Sequence, residues 1–127
     1  MWMRRQDGQA LVELAISITV LMMILLGIVE FGRIGHAYIV TTHASREGAR
    51  IGALHHPDNE IGDAVYRAAS TLDINRMVVS ISPAQANRQR GDSLEVTVSY
   101  EVPLITPLGS LLTDPFPVFG RTTMRVE

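Results

Sequence analysis

The stretch Gly8-Gln9-Ala10-Leu11-Val12-Glu13 opens a long apolar segment, which continues from Leu14 to Val29 without a charged residue or a proline. The 16 residues of that uncharged run would form roughly 24 Å of helix at about 1.5 Å per residue. Counted from Ala10, the segment has 20 residues and reaches about 30 Å, which is the thickness of a bilayer's hydrocarbon core. The sequence therefore predicts a membrane-spanning helix with one acid, Glu13, inside it.

Glu13 is costly in such a helix. Insertion of a carboxylate at the centre of a span costs about 2.5–3.5 kcal/mol, and less near an end. An acid tolerated near the membrane surface is one interpretation. The other, which we favour because burial of an unpaired charge is so unfavourable, is that Glu13 meets a partner after insertion. Cleavage after Gly8 would create such a partner, because the new amine at Gln9 on a neighbouring parallel helix could neutralise the carboxylate.

The residues that flank the apolar run predict its orientation and argue against a signal peptide. Arg4 and Arg5 precede the run, so the N-terminus should stay in the cytoplasm while the rest of the chain crosses the membrane. The apolar region of a signal peptide usually has 7–15 residues and ends at a small-x-small cleavage site. Here the run is longer and closes on Gly27-Ile28-Val29-Glu30. Twin-arginine export is also a poor match, because Gln-Asp-Gly follows the arginine pair.

Composition excludes several functional classes. A net charge of −2 and 6% aromatic residues provide no basic surface for nucleic acid. Cysteine is absent, so the chain has neither a disulfide framework nor a cysteine-based metal site. The four histidines are adjacent in a loop or two helical turns apart, a spacing unsuited to a single metal ion: His36, His43, His55 and His56. The acids and serines form no catalytic spacing and phosphate loops are absent, so we expect no cofactor and no enzymatic activity.

Two helices are predicted. The first runs from Gln9 to about Gly52, behind a leader, Met1–Asp7, that is too short and polar to fold by itself. The second runs from about Asn59 to Leu72, with Asp58 or Asn59 as its N-cap. Small residues follow one face of the first helix at steps of three and four, which would let another element approach its backbone: Ala37, Thr41, Ala44, Ser45, Gly48 and Gly52. Four glycines in that helix indicate either close packing or local unwinding: Gly27, Gly32, Gly35 and Gly48.

Three strands follow the helices. They are Met77–Ser82, Leu94–Val102 and Val118–Val126, and the middle one, which alternates apolar and polar residues without interruption, should be central in the sheet. The Pro-rich connection Pro103–Pro117 should be structured, with a short helix near Ser110. We therefore expect an α+β fold, in which a long helix packs on a small antiparallel three-stranded sheet beside a second short helix. The expected segments are a leader (1–8), a membrane or filament-core helix (9–35) and a globular head (36–127).

Several motifs together resemble a known family. Arg4, Arg5, Gly8 and Glu13 resemble the prepilin peptidase site of type IV pilin-like proteins. The wider pattern is similar to the TadE family, the pilin-like proteins of Tad (tight adherence, Flp-type) pilus systems. It is carried by three stretches, with weaker support from Pro103-Leu-Ile-Thr-Pro-Leu and from the closing Met124-Arg-Val-Glu127: Gly8–Glu13, Leu26–Arg33 and Ala44–Arg50. Leu14 stands where Phe or Tyr is common in some relatives.

The resemblance implies a function and a set of partners. It implies cleavage between Gly8 and Gln9 by a prepilin peptidase, residence in a bacterial inner membrane, and assembly with copies of the chain or with other pilins into a surface filament. The alternative is an inner-membrane-anchored minor pseudopilin, an accessory protein that primes or regulates a pilus made of another pilin. Glu30 and Arg33 are i,i+3 neighbours just beyond the apolar run, and they form either a surface pair or a bridge between subunits in a filament.

Overall fold

The computed structural model describes residues 3–107, 109–111 and 115–127, with side chains from Gly8 onward except that of Ser110. It contains two helices, a three-stranded sheet and three single-turn 3₁₀ helices, and so confirms the predicted α+β class. The helices and strands are α1 (Met3–Ala53), α2 (Asp58–Ala68), β1 (Met77–Ser82), β2 (Ser93–Val102) and β3 (Phe116–Arg125). The 3₁₀ turns are Ile74–Arg76, Gln85–Asn87 and Gly109–Leu111, the last of which lies where the sequence predicted a short helix.

Helix α1 is longer than predicted at its N-terminal end and unbroken throughout. It starts at Met3, six residues before the predicted start at Gln9, so the described part of the leader is helical and not unfolded. No proline stops the helix there, and the leader simply extends it. Its other end is a tight turn, in which His55 N–H donates to the Gly52 carbonyl at 3.1 Å and His55 takes a φ of 65°. The prediction that the helix unwinds locally at its glycines is therefore wrong.

Helix α2 differs from its prediction at both ends. Its N-cap is Pro57 and it makes no side-chain capping bond, because the Asp58 carboxylate accepts hydrogen bonds from Arg88 and from Gln85 N–H instead. The helix ends at Ala68, four residues before Leu72. Ser70 and Thr71 follow the helix, and such residues favour local hydrogen bonds over continued helix. Leu72 still packs against the core, but from a turn.

The sheet has the predicted antiparallel order β1-β2-β3, with β2 in the centre. Val98 pairs with Val79 on one side and with Gly120 on the other. Strand β2 begins one residue earlier than predicted. Strand β3 begins two residues earlier than predicted, because Phe116 and Pro117 still pair with the end of β2. The inward side chains of β2 form the middle of the core and are all buried: Leu94, Val96, Val98, Tyr100 and Val102.

The C-terminal half of α1 covers this sheet, and all six small residues of the predicted stripe are buried. A methyl group added at Gly48 would lie 2.5 Å from Val65 Cγ2, and one added at Gly52 would lie 2.0 Å from Leu94 Cδ2. The close-packing interpretation is therefore confirmed for Gly48. It does not extend to Gly27, Gly32 and Gly35. A Cβ added at any of these three glycines would meet no neighbouring atom within 4 Å.

Gly120 marks the closest approach between α1 and the sheet. A Cβ at this position would stand 2.3 Å from the Thr41 carbonyl oxygen and 2.6 Å from Thr42 N, both backbone atoms of α1. Backbone atoms cannot move aside as the end of a flexible side chain can. Next to this contact, Ser45 Oγ and Thr122 Oγ1 share a hydrogen bond of 2.8 Å between the helix and β3. The strand and the helix therefore meet backbone to backbone.

Arg88 ties together two loops at the far end of the head. Arg88 lies in the polar loop between β1 and β2, yet the residue is only 7% exposed. Its Nη1 donates to the His56 carbonyl at 3.0 Å, and its Nη2 bonds the Asp58 carboxylate. The guanidinium thus fixes the loop before β2 against the connection between α1 and α2. Its fixed fork of donors suits this bridging role better than a lysine would.

Substitution of Gly120 by Ala should destabilise the head by about 2–4 kcal/mol, because overpacking against rigid backbone forces the strand and helix apart. Gly62→Ala is the matched control, since Gly62 lies inside α2 with no atom within 4 Å and should gain about 0.5–1 kcal/mol from helix propensity. Thermal unfolding of the detergent-solubilised full chain measures both changes. Equal stability of the two variants would contradict the close approach.

Candidate anchoring and assembly site

The N-terminal half of α1 is apolar all round and touches nothing in the head. Its large apolar side chains from Leu11 to Val29 are 46–66% exposed. An 18-residue window in this part of the helix has a mean hydropathy of 2.6 and none of it is buried. The helix is long and apolar enough to cross a membrane. A helix that is apolar on every side needs lipid or other helices around it, because water solvates it poorly.

Three of the five residues predicted for processing and assembly lie on this exposed half. Gly8, Gln9 and Glu13 are exposed, and they lie on the first turns of α1 for which side chains are described. Glu13 has no hydrogen-bond or ion-pair partner among the residues that the structure describes. It stands 17 residues, or about 25 Å along the helix, from the next acid, Glu30. None of the described residues therefore provides a partner for Glu13.

Glu30 and Arg33 are brought together as predicted, and they also bind a loop that is more than 70 residues away. Arg33 Nη1 donates to Glu30 Oε1 at 3.2 Å and to the Pro103 carbonyl at 2.9 Å. Ile105 N–H points at the Glu30 carboxylate, 3.3 Å from Oε2. We call Glu30, Arg33 and the backbone of 103–105 the clasp. It joins the end of the apolar run to the connection that follows β2.

Burial separates this pair from an ordinary surface pair. The Glu30 residue is 7% exposed, whereas the Arg33 side chain remains 35% exposed. A carboxylate can be buried this far because a guanidinium and a backbone N–H satisfy it. The pair was expected from the spacing alone, but its contact with Pro103 and Ile105 was missed. A hydrophobic run followed by an i,i+3 pair says nothing about which distant loop will cover it.

A second i,i+3 ion pair on α1, between Glu47 and Arg50, serves as a comparison. Arg50 donates two hydrogen bonds to the Glu47 carboxylate, at 2.5 and 3.2 Å, and these bonds lower the pKa of Glu47 below its usual value. A lowered carboxyl pKa stabilises the fold at neutral pH and loses that effect as the pH falls through it. Both groups are well solvated, so the contribution to stability is small.

The histidines are dispersed. His36 Nε2 lies 3.4 Å from Thr71 Oγ1, and His56 Nδ1 lies 2.5 Å from Glu60 Oε2. His55 occupies the left-handed turn that ends α1. Within the described part of the chain, no three His, Cys, Asp or Glu side chains stand close enough to hold a metal ion. His36 and His56 therefore make local hydrogen bonds, and His55 forms part of the turn that ends α1.

Removal of the clasp carboxylate by Glu30→Ala should lower stability by about 1–3 kcal/mol, because the Arg33 guanidinium loses its partner in a partly buried site. The amide of Ile105 should also exchange with solvent faster, which hydrogen exchange of the full chain in detergent measures directly. Glu47→Ala is the control and should change stability by less than about 0.5 kcal/mol. Unchanged exchange at Ile105 in the Glu30 variant would contradict the clasp.

Comparison with known proteins gives one match. The model of the TadE-like protein family matches residues 8–50, which is about a third of the chain. No curated protein and no solved structure matches the chain significantly. The matched residues include the exposed apolar half of α1, the Glu30–Arg33 pair and most of the small-residue stripe. The resemblance inferred from the sequence is thus confirmed by the family model, and the match together with the apolar N-terminal helix fits a pilin-like protein associated with a Tad pilus.

Proposed function

We propose that this chain is a pilin-like structural subunit of a Tad-type type IV pilus, which a prepilin peptidase processes and which assembles through the N-terminal half of α1. The observation that carries the proposal is the apolar, wholly exposed half of α1 with one unpartnered acid in it, within a segment that matches the TadE-like family. A helix built only as an anchor gains nothing from that acid. Contact between subunits would give the Glu13 carboxylate a polar partner.

Processing at Gly8 creates the complementary group. With the leader (1–8) removed, the helix starts at Gln9 with a positively charged amine, and Glu13 becomes the fifth residue. An amine on one helix and the Glu13 carboxylate on its neighbour neutralise each other in a dry bundle. Such a contact also fixes the axial register of parallel helices, as a single buried polar residue does in coiled coils.

Location follows from the same segment. Arg4 and Arg5 hold the N-terminus in the cytoplasm, so the head (36–127) lies outside the inner membrane before assembly and on the cell surface in the filament. Segment 9–35 spans the membrane first and forms the filament core later. Glu30 and Arg33 contribute to assembly by holding the head at a fixed angle on the helix.

The second candidate is an inner-membrane-anchored minor pseudopilin that primes or regulates a pilus made of another pilin. The clasp favours it, because Glu30 and Arg33 satisfy each other and the chain's own loop and so are not free to bridge subunits. The two candidates differ in where the protein is found. Electron microscopy of sheared surface filaments, with mass spectrometry of their main band, shows the chain as the main component in the first case and as a trace or absent in the second.

Cleavage should occur between Gly8 and Gln9. Replacement of Gly8 by Leu should block it, because a bulky side chain adjoins the scissile bond, and a longer membrane-bound form should accumulate. Mass spectrometry of the N-terminal peptide measures the cleavage and also shows whether Gln9 cyclises, which would remove the charge of the new amine. Gly27→Leu, also on an exposed part of α1, controls for insertion defects. Exported wild-type protein that retains Met1 would contradict the proposal.

Glu13 should act in assembly and not in the folding of the head. Glu13→Ala removes the desolvation cost, so the protein should insert normally while surface filaments become scarce. The measurement compares membrane-inserted protein with sheared filaments in wild type and variant. Ser17→Ala, a neutral change in the same exposed segment, should leave both unchanged. Normal filament yield from the Glu13 variant would mean that the carboxylate is merely tolerated near the membrane surface.

A further inference from the structure

We infer that the head rests on the membrane surface through an apolar rim formed by Phe31, Ile105, Leu111 and Phe116. The inference rests on the membrane insertion that the proposed function includes, and it adds a second contact with lipid beyond the spanning helix. Each of these side chains is 39–79% exposed, so none serves the head's own core. The occupant to which the rim fits is the interfacial region of the same bilayer.

The clasp fixes the height of the rim. Glu30 directly follows Val29, the last residue of the uncharged run, and the backbone of Ile105 lies within 3.3–3.4 Å of the Glu30 carboxylate. The loop after β2 is therefore level with the end of the span. Polar headgroups extend roughly 5–8 Å beyond the hydrocarbon core on each side, so this loop lies within their reach.

Leu111 lies at the same height as Ile105, because its short helix packs against Leu104. Gly109 packs so tightly on Leu104 that an added Cβ would stand 2.6 Å from its Cβ. The short helix Gly109–Leu111 is thereby held beside the residue that precedes Ile105. Ile105 and Leu111 are 67% and 79% exposed. Two large aliphatic side chains thus project from one clasped loop.

Aromatic residues continue the rim on the other side of α1. Phe31, Phe116 and Phe119 line one groove, together with Tyr38, and they are all the phenylalanines of the chain. Phe31 lies two residues beyond Val29 and is 78% exposed. Aromatic side chains are favoured at membrane–water interfaces, where a ring meets both acyl chain and headgroup.

Charge is distributed as a lipid contact requires. No charged residue occurs from Val102 to Thr113, and Glu30, which directly follows the uncharged run, is covered by the clasp. The opposite end of the head carries acids, with Glu60 in the first turn of α2 and Asp92 in the loop before β2. An apolar surface that continues directly from the spanning helix is most simply covered by the lipid around that helix. The alternative occupant is the apolar helix of another subunit.

The absence of cysteine makes the rim directly testable. Single cysteines replace Ile105 and Leu111 in the full chain, and nitroxide labels on them report relative access to oxygen and to a polar nickel chelate. The protein is studied as one copy per nanodisc of phosphatidylethanolamine and phosphatidylglycerol. Both positions are exposed, so a label should leave the fold intact.

Leu54→Cys is the matched control, because Leu54 is 53% exposed at the other end of α1, about 36 Å from Glu30. Labels at 105 and 111 should favour oxygen over nickel severalfold more than the label at 54. Equal ratios at all three positions would overturn the inference. Protection at 105 and 111 that requires several copies per disc would also overturn it, and would identify another subunit as the occupant.

A label at Val20→Cys separates the inference from the proposed function. Val20 lies in the middle of the apolar run and is 51% exposed. A deep signal at 20 with water-exposed labels at 105 and 111 means that the helix spans the membrane but the head stands clear of it. A label at 20 that is open to nickel means that the helix is not inserted, and then the proposed function itself fails.

Discussion

The backbone contact between α1 and β3 is the constraint on which the head depends. One helix is both long and apolar enough to cross a membrane and the largest element that packs in the head, and the described head has few other elements to cover its sheet. Gly120 and the small residues of α1 let the helix lie close enough to bury the inner face of the central strand, β2. Larger residues at these positions would open the core to water, because protein interiors tolerate little misfit.

The two halves of α1 follow opposite packing rules. The C-terminal half carries small side chains that the β-strands cover, whereas the N-terminal half carries large apolar side chains that none of the described residues covers. The clasp lies where these rules change. It satisfies the first charges after the apolar run, and it prevents the head from swinging about the helix by tying the loop after β2 to Glu30 and Arg33. The clasp therefore holds the head in a fixed position relative to the helix.

The proposed assembly and the proposed membrane contact need the same geometry in different ways. Assembly needs Glu13 at a fixed depth, because its partner amine is a short distance from it along a neighbouring helix. The membrane contact needs the rim level with the end of the span. A stiff helix with the head clasped at Glu30 fixes both heights, since residues on one helix keep a constant rise between them.

The sequence by itself determined the helices and strands, the order of the strands and the apolar helix that is long enough to cross a membrane, because each has a clear local pattern. These patterns are the uncharged apolar run, the stripe of small residues and the strict alternation along β2. It also indicated Glu13 and the Glu30–Arg33 pair from their spacing. Only the tertiary structure decided what Glu30, Asp58 and Arg88 bind. Their distant partners lie 27 to 75 residues away, and such contacts depend on where loops cross and not on any local pattern. The same reason explains Gly120, whose function is visible only once the helix lies against it.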